Sequence, residues 1–306
     1  MSEQKYIMGI DIGGTNLRAG LVNSAKELSE FTITSCTQIL EDDNTVDNLV
    51  SYIRDYLSLR CIGKDVSGIA IGFPSTIDRA RRRVLSTPNI KGLNNINIVD
   101  RMEKELQIPI YIEKDVNMLI LYDMLKGNIP DAGITTGFYV GTGLGNAITI
   151  NGQLLTGKNG AAAELGHIPS RDLEGLCGCG NSSCVELFAS GKYLQYLCDN
   201  DLGNVFIGDV FTKYYNNPII VKYIQDLAIP IAAEINILDP DYIILGGGVI
   251  QMQDFPKQQL EDAIHEFTRK PFPDNELSFI YSIPSQENGV IGAGIYGLKK
   301  NNMHHA

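Results

Sequence analysis

The sequence contains no uninterrupted hydrophobic run that approaches the roughly 18 residues needed to cross a membrane. Its first residues, Met-Ser-Glu-Gln, also lack the pattern that begins a secretory signal peptide. Basic residues are outnumbered by acidic ones, 25 against 36, and the formal net charge is -11. Because nucleic acids are bound largely by Lys and Arg, this charge argues against a nucleic-acid partner. We therefore expect a cytoplasmic protein that binds neither a membrane nor a nucleic acid.

The sequence also has no low-complexity linker, although 306 residues are enough for two domains. Strand and helix patterns alternate in each half, which indicates an α/β fold. A long helical pattern spans residues 219–238, and Pro230 is expected to kink or split it. We expect a boundary near residue 117. The small domain would contain residues 1–117 and the C-terminal helix 289–306, and the large domain residues 118–288.

A glycine-rich turn joins two short apolar runs near the start of the chain. Asp11 ends the first run, and the turn contains Gly13, Gly14, Thr15 and Asn16. Glycines allow positive φ and a close approach of the backbone, so N–H groups can point at phosphate oxygens while Asp11 addresses a cation. No Lys-Ser or Lys-Thr pair follows and no helix starts at the last glycine, which excludes a P-loop and a dinucleotide-binding turn. Taken alone, the segment is more typical of an ordinary hairpin.

A second turn of the same kind follows more than a hundred residues later. Its glycines and threonine are Gly141, Thr142, Gly143 and Gly145. A third cluster, Gly246 to Gly248, follows a buried-strand pattern and can let the backbone lie flat against a nucleotide base or ribose. Together the three clusters favour two similar halves and a nucleotide-binding cleft over three unrelated turns.

Asp115 is the candidate catalytic residue. It follows a strand predicted over residues 108–112, where a helix pattern begins. A carboxylate at such a strand end, facing a cleft, can accept the proton of a hydroxyl group as its oxygen attacks phosphorus. The alternative is that Asp115 only caps the helix that follows.

Small residues surround two polar side chains, Glu164 and His167. This composition leaves room for a compact ligand whose hydroxyl groups the carboxylate and imidazole would bind, although such a histidine is more often a core residue. Three cysteines follow, Cys177, Cys179 and Cys184. In a cytosolic chain such close thiols favour a metal over disulfides. With His167 they would complete a closed, tetrahedral Cys₃His zinc site with a structural role.

Two other features are expected to have no role in binding. The basic run Arg79 to Arg83 is interpreted as a solvated loop. Cys36, Cys61 and Cys198 stand alone among apolar or loop residues, and we expect them to pack in the interior.

The motifs resemble those of the ROK family (repressor, open reading frame, kinase) of the actin and hexokinase ATPase superfamily. The first turn with Arg18 resembles the family's first phosphate loop, and residues 141–145 resemble the second. Residues 157–167 resemble the signature Gly-x-x-Gly-x-Ala-Gly-Glu-x-Gly-His, and residues 177–186 the zinc motif Cys-x-Cys-Gly-x-x-Gly-Cys-x-Glu. The resemblance covers nearly the whole chain. It implies an α/β chain with the two-domain actin/hexokinase-like (ribonuclease H-like) ATPase fold and an interdomain cleft.

The resemblance also implies roles for individual residues. Asp115 corresponds to the catalytic base. The sugar-binding residues would be Asn89, Lys114, Glu164, His167 and Glu186. The nucleotide-binding residues would be Asp11, Gly13, Gly14, Thr15, Asn16, Arg18, Gly141, Thr142, Gly143, Gly145, Gly246, Gly247 and Gly248. The zinc ligands would be His167, Cys177, Cys179 and Cys184. The implied reaction is phosphorylation of the C6 hydroxyl of an aldohexose by ATP with Mg²⁺, in a protein with structural Zn²⁺ that is expected to be a homodimer.

Three residues depart from the family pattern. Ala163 and Ser183 replace glycines and are expected to change little. Lys114 stands where glucose-phosphorylating members have an Asn that contacts the sugar, and in this the chain resembles the D-allose kinases of the family. We expect Lys114 to help read the inverted C3 hydroxyl of D-allose. The alternative is that Lys114 points to solvent.

Other activities stay open at this stage. Within the kinases, a glucokinase, a fructokinase or an N-acetylmannosamine kinase are the alternatives. A non-catalytic, sugar-sensing ROK repressor would need a DNA-binding helix-turn-helix before the first strand, which is expected to begin by Tyr6, and the acidic charge disfavours it. An actin-like or chaperone-like ATPase would have no use for the zinc loop or for Glu164 and His167.

Overall fold

A computed structural model describes residues 4–40, 43–87, 90–170 and 175–304, the last two of them by their backbone alone. The described strands are β1 (Lys5–Ile12), β2 (Asn16–Asn23), β3 (Leu28–Ser35), β4 (Asp65–Phe73), β5 (Thr76–Ile77), β6 (Val84–Ser86), β7 (Ile110–Lys114), β8 (Ile134–Val140), β9 (Leu144–Ile150), β10 (Gln153–Leu154), β11 (Tyr242–Gly246) and β12 (Phe279–Tyr281). The described α-helices are α1 (Thr45–Arg60), α2 (Ile98–Leu106), α3 (Asp115–Lys126), α4 (Gly191–Asn200), α5 (Val210–Tyr214), α6 (Pro218–Leu238), α7 (Lys257–Phe267) and α8 (Asn288–His304). Among these described helices, none has the length and apolar character that a membrane crossing requires.

The chain divides into two compact units. The first contains residues up to 128, residues 156–162 and the chain from residue 285, and the second contains residues 129–155 and 163–284. The first unit therefore extends beyond the boundary expected near residue 117. The physical reason is that α3, which starts just before that position, packs against α8 and β4 of the same unit.

The first unit is built on a sheet with the strand order β3-β2-β1-β4-β7. β1, β2 and β3 pair antiparallel, whereas β1, β4 and β7 run parallel. A buried cluster joins the sheet to α1 and α2, and α8 packs on β1, β2 and β4. Gly9 makes this second contact possible, because a Cβ there would lie 2.2 Å from the carbonyl oxygen of Val290 in α8.

The second unit repeats this topology. Its described strands follow the order β10-β9-β8-β11-β12, again with an antiparallel part and then a parallel part. Buried side chains of α4, α5, α6 and α7 pack with those of the sheet in one cluster. The two similar halves that the repeated glycine turns predict are thus present in the fold.

Two local expectations differ from the structure. α6 runs through Pro230 as one helix, so of the two expected outcomes, a kink or a split, the split does not occur. Pro230 is buried together with Leu227 and Ile231, and packing of this apolar helix outweighs the lost backbone hydrogen bond. β7 starts at Ile110 rather than at residue 108. Pro109 precedes it and has no N–H group to donate to a ladder.

Candidate active site

The carboxyl ends of three parallel strands meet at one edge of the first sheet. In the register of β1, β4 and β7, Asp11 pairs with Gly72, and Gly72 pairs with Glu113. Asp115 follows two residues later, and its Cα lies 3.4 Å from the position that a Cβ on Gly72 would take. The same Cβ would lie 3.2 Å from Cγ of Met118, so a glycine in the middle strand lets the start of α3 approach the sheet closely. Such strand ends are where open α/β sheets place their ligands.

Asp115 is the first residue of α3, and Lys114 before it is the N-cap residue. Asp115 is therefore not itself the N-cap residue, although its carboxylate does contact the backbone at the start of the helix. Oδ1 of Asp115 accepts a hydrogen bond from the N–H of Val116 at 2.8 Å. Burial, followed by the charge of Asp11, raises the pKa of Asp115 to about 7. A carboxyl group that titrates near neutral pH has the proton affinity that a general base needs.

Asp11 lies opposite Arg18 in the first hairpin, with 3.6 Å between Oδ2 and Nη1. Arg18 also donates from Nε and Nη2 to Oε1 of Gln286, at 2.9 and 2.7 Å. Burial raises the pKa of Asp11 and the nearby Arg18 lowers it, with burial the larger cause. The start of α8 is close by, because a Cβ on Gly289 would lie 2.4 Å from the carboxyl carbon of Asp11. The sequence contains no signal that Gln286 belongs to this arrangement.

The first glycine turn is closed by short hydrogen bonds. The N–H of Gly13 donates to the carbonyl oxygen of Asn16 at 3.0 Å, and the N–H of Cys36 donates to that of Thr15 at 2.8 Å. Gly14 and Thr15 are exposed. Positive φ was expected in both glycine turns, but among their described residues no glycine has it. The turns close without left-handed residues. The glycines therefore matter here because they have no side chain that would cover the backbone, rather than because they allow an unusual conformation.

Lys114 is buried, and the alternative that it points to solvent is wrong. Its Nζ donates to the carbonyl oxygen of Ala162 at 2.8 Å, within the segment 156–162 of the first unit. The positive charge of Lys114 also lowers the pKa of Asp115, though less than burial and Asp11 raise it. The ammonium group is thus part of the surroundings of Asp115.

The second glycine turn, in the second unit, contacts α4 and Glu186. The N–H groups of the first two residues of α4 donate to the carbonyl oxygens of Gly141 and Thr142, at 2.8 and 3.1 Å. Oε2 of Glu186 accepts a hydrogen bond from the N–H of Leu144 at 3.0 Å. A Cβ on Gly143 would lie 2.1 Å from the same oxygen, so this glycine makes room for the carboxylate. The turn and Glu186 therefore form one arrangement.

The third glycine cluster, Gly246 to Gly248, follows β11. Gly247 has a φ of 91°, and a Cβ on it would lie 2.5 Å from the backbone nitrogen of Val140. The N–H of Val249 donates to the carbonyl oxygen of Val140 at 2.9 Å. Only glycine combines this conformation with this close approach, so the cluster is joined to the strand that leads into the second turn.

The predicted zinc ligands come together. Nδ1 of His167 is 3.5 Å from Sγ of Cys177, the Sγ atoms of Cys179 and Cys184 are 3.6 Å apart, and all four ligand atoms lie within 4.8 Å of one another. Tetrahedral zinc, with Zn–S bonds of about 2.3 Å, separates its sulfur ligands by about 3.8 Å, so the donor set fits this metal. A hydrogen bond from the backbone of Asn181 lowers the pKa of Cys179, which favours its thiolate. Burial raises the pKa of Cys184 to about 12, and a bound cation would oppose that shift.

His167 turns its two ring nitrogens to different neighbours. Nδ1 faces Cys177, whereas Nε2 lies 3.9 Å from Oε2 of Glu164. A carboxylate beside the free nitrogen of a metal-binding histidine is a frequent outer-shell arrangement. Glu164 and His167 therefore lie together as predicted, and only Nε2 of His167 is left for a ligand other than the metal.

The sequence analysis missed a buried arginine. Arg81 lies in the basic run expected to be a solvated loop, yet it is 9% exposed, and its Nε lies 2.7 Å from Oε2 of Glu113, which is 1% exposed. A glutamate in the apolar segment of β7 was the available signal, because a buried carboxylate needs a partner. Cys36, Cys61 and Cys198 are buried as expected. Asn89, a predicted sugar ligand, lies outside the described residues.

Known proteins are similar to this chain in sequence and in fold. Residues 7–299 match the model of the "ROK family". The glucokinase of Halalkalibacterium halodurans is 28% identical over 321 residues, which cover 96% of this chain and 95% of the relative. The N-acetyl-D-glucosamine kinase of Pectobacterium carotovorum is 25% identical over 317 residues, with coverage of 96% and 99%. A crystal structure of a ROK family transcriptional regulator, a homologue of the E. coli Mlc protein, matches with a TM-score of 0.82 at 23% identity and covers 97% of this chain and 78% of the regulator. At that identity the structural likeness shows the fold alone.

Proposed function

The chain belongs to the ROK family and has its two-domain actin/hexokinase-like α/β fold, and we propose on this premise that it is an ATP-dependent sugar kinase. The substrate class is a hexose or an amino sugar, as the names of the related glucokinase and N-acetyl-D-glucosamine kinase suggest. The transferred group would be the γ-phosphoryl group of ATP, and the acceptor the primary hydroxyl at C6.

One observation carries the proposal. Asp115, at the carboxyl end of β7, has a pKa of about 7, raised by burial and by the carboxylate of Asp11. A carboxylate that binds a proton this tightly, and yet loses it near neutral pH, suits the removal of a proton from a sugar hydroxyl. A structural carboxylate would more often be paired with a cation and have a lowered pKa.

The other predicted site residues of the two units would have separate roles in the reaction. Asp115 would orient the attacking hydroxyl and accept its proton, and Asp11 supplies a carboxylate for a cation. The exposed backbone of Gly14 and the N–H groups of the second turn, with Thr15 and Thr142, would hold phosphate oxygens. Mg²⁺ held at Asp11 would supply positive charge that offsets the negative charge of the phosphate groups. Because the reaction needs little covalent chemistry from the protein, positioning accounts for most of the expected rate gain.

The second unit supplies the groups proposed to bind the sugar. Glu164, Glu186 and Nε2 of His167 are hydrogen-bonding groups that suit hydroxyl groups. Zinc held by Nδ1 of His167 and the three cysteines would fix the histidine ring and its tautomer. The Gly246 to Gly248 cluster is proposed to face the adenosine.

We propose D-allose as the specific substrate, with D-glucose, D-fructose and N-acetylmannosamine as alternatives. The support is Lys114, which stands next to Asp115 where glucose-phosphorylating relatives are expected to have Asn. Its burial beside the proposed base, rather than in solvent, favours a role at the site. A cationic donor there would distinguish sugars by the orientation of one hydroxyl group.

The activity is tested by measuring ADP formation with a panel of hexoses and N-acetylated amino sugars. A kinase forms ADP only when its sugar is present. Asp115→Asn should lower kcat by about 100- to 10,000-fold while sugar binding, followed by calorimetry, is largely kept. Asp55→Asn on the exposed side of α1 is the control. Near-normal turnover in Asp115→Asn would place the base elsewhere.

The sugar preference is tested with Lys114→Asn. The ratio of kcat/KM for D-allose to that for D-glucose should fall in this variant if Lys114 reads the C3 hydroxyl. An unchanged ratio would remove this role. A tenfold change corresponds to about 1.4 kcal/mol in the discrimination.

A sugar-binding regulator is the second candidate, because the fold matches a ROK family transcriptional regulator with a TM-score of 0.82. Such a protein would bind a sugar in calorimetry without forming ADP. The kinase is favoured because the related glucokinase is covered over 95% of its own length, whereas the regulator is covered over 78%.

A further inference from the structure

Arg81 and Glu113 form an ion pair inside the first unit, next to the proposed base. Both side chains are at least nine-tenths buried, and Nε of Arg81 lies 2.7 Å from Oε2 of Glu113. Buried ion pairs of this kind give little net stability compared with apolar side chains of similar size. A gain in stability is therefore a weak explanation for the pair. Its hydrogen bonds indicate instead that it holds neighbouring segments in place.

Arg81 uses its guanidinium group on two sides. Nε donates to Glu113, and Nη1 donates to the carbonyl oxygens of Ile77, Asp78 and Gly160, at 3.0, 2.9 and 3.2 Å. A planar guanidinium group can serve these directions at once, whereas an ammonium group is a single point charge. Arg81 has a φ of 56°, a strained conformation for this residue type. The surrounding structure therefore holds the backbone at Arg81 in this conformation at an energetic cost.

Glu113 holds the chain on both sides of Asp115. Oε1 of Glu113 accepts hydrogen bonds from the N–H of Lys114 at 2.9 Å and from Nδ2 of Asn117 at 3.0 Å. Lys114 precedes the proposed base, and Asn117 is in the first turn of α3 and 1% exposed. The carboxylate of Glu113 thus fixes the turn on which Asp115 is carried.

Tyr296 of α8 also contacts the pair. Burial, followed by the charge of Glu113, raises the pKa of Tyr296, so that its hydroxyl keeps its proton and can donate it in a hydrogen bond. Three parts of the first unit therefore meet at Arg81 and Glu113: the segment 156–162, the start of α3 and the middle of α8.

We propose that Arg81 and Glu113 are positioning residues for Asp115, an inference that rests on the proposed kinase function. The pair holds the first turn of α3 so that the carboxylate of Asp115 meets the acceptor hydroxyl at the correct distance and angle. Glu113 acts through Lys114 and Asn117, and Arg81 holds the carboxylate of Glu113 in place. Neither residue touches the reacting atoms. If the pair no longer fixes the first turn of α3, the rate of phosphoryl transfer should fall without a matching loss of nucleotide affinity.

The test compares three variants with the wild type. Arg81→Lys keeps the charge but loses the planar set of N–H donors. Glu113→Gln keeps the size but loses the charge. Arg83→Lys is the matched control. Arg83 belongs to the same basic run and bonds to Asn95 instead of Glu113. We expect kcat to fall about 10- to 100-fold in the first two variants, with KM for ATP within about 2-fold of the wild type and no change in the control.

The double variant Arg81→Met/Glu113→Leu separates positioning from stability. Apolar side chains of similar size should preserve folding, which thermal unfolding checks. Positioning requires that kcat stay about 10- to 100-fold low in this folded double variant. A wild-type kcat in the double variant, or in both single variants, overturns the inference while the kinase function stands. A wild-type protein that forms no ADP with any hexose overturns both.

Discussion

Asp11 and Asp115 lie at the carboxyl ends of two strands that flank Gly72, and the charge of Asp11 contributes to raising the pKa of Asp115 to about 7. Two carboxyl groups with different surroundings can take different roles, one as a cation ligand and the other as a proton acceptor. Arg18 beside Asp11 partly offsets the effect of burial on the Asp11 carboxyl group.

The rate of phosphoryl transfer should depend on the protonation of Asp115. We expect kcat to rise with pH through about 7, because only the deprotonated carboxylate accepts the hydroxyl proton. Asp11→Asn removes one of the two causes of the raised pKa, so the midpoint of its residual activity should move to lower pH. The profiles are measured with a coupled ADP assay across the neutral range. A midpoint that stays in place or moves up contradicts the proposed coupling.

Asp115 should also cost stability at neutral pH. Its folded pKa, about 7, is above the ordinary aspartate pKa of 3.8, so the folded state keeps a proton that the unfolded state loses between these values. The free energy of unfolding therefore falls as pH rises through this window, and the cost is complete above pH 7. Asp115→Asn should be more stable than the wild type above pH 7 by about 1 to 4 kcal/mol, and equal to it below pH 3.8. Urea unfolding measures this, with Asp55→Asn as the unchanged control.

Ala163 and Ser183 stand in left-handed backbone conformations, with φ of 59° and 63°. The sequence analysis treated these replacements of glycine as nearly neutral, but at positive φ a Cβ is strained. Ala163→Gly and Ser183→Gly should each raise the free energy of unfolding by up to about 1 kcal/mol, after subtraction of the entropy that glycine adds to the unfolded chain. Ala161→Gly, two residues away and without positive φ, should be destabilising. Equal changes in the free energy of unfolding at positions 161 and 163 would show that backbone strain at positive φ is not the cause.

Removal of zinc should weaken sugar binding more than nucleotide binding. The four proposed ligands include His167, whose other nitrogen lies beside Glu164. Chelation, or Cys184→Ser, should lower the melting temperature and raise KM for the sugar more than KM for ATP. Elemental analysis should find one zinc ion per chain in the wild type and in Cys61→Ala, a buried cysteine outside the cluster. A chain purified without zinc and equally stable would contradict the assignment.

Most patterns that are local in sequence were read correctly, although β7 starts two residues later than expected. The glycine turns, the strand before Asp115 and the close spacing of Cys177, Cys179 and Cys184 each lie within a few residues, so their geometry follows from short-range rules. The cluster with His167 also formed as expected. Pro230 does not split α6, because burial of this helix against its neighbours outweighs the local preference.

Contacts between distant segments could not be found in this way. Nothing in the run from Arg79 to Arg83 marks Arg81 as the residue that pairs with Glu113, 32 positions away. Gln286 meets Arg18 across 268 positions, because the C-terminal segment returns to the first unit. Lys114 looks like a surface residue by type, yet it is buried against the segment 156–162.

The order of residues thus specifies the α/β pattern, the family and the position of Asp115 between a strand and a helix, since each depends on periodicity and on short motifs. The proton affinity of Asp115 and the groups that hold it depend instead on which segments meet after folding. Burial and the nearby Asp11 act over distances that exist only once the strands are aligned, and together they raise the pKa of an ordinary aspartate to about 7.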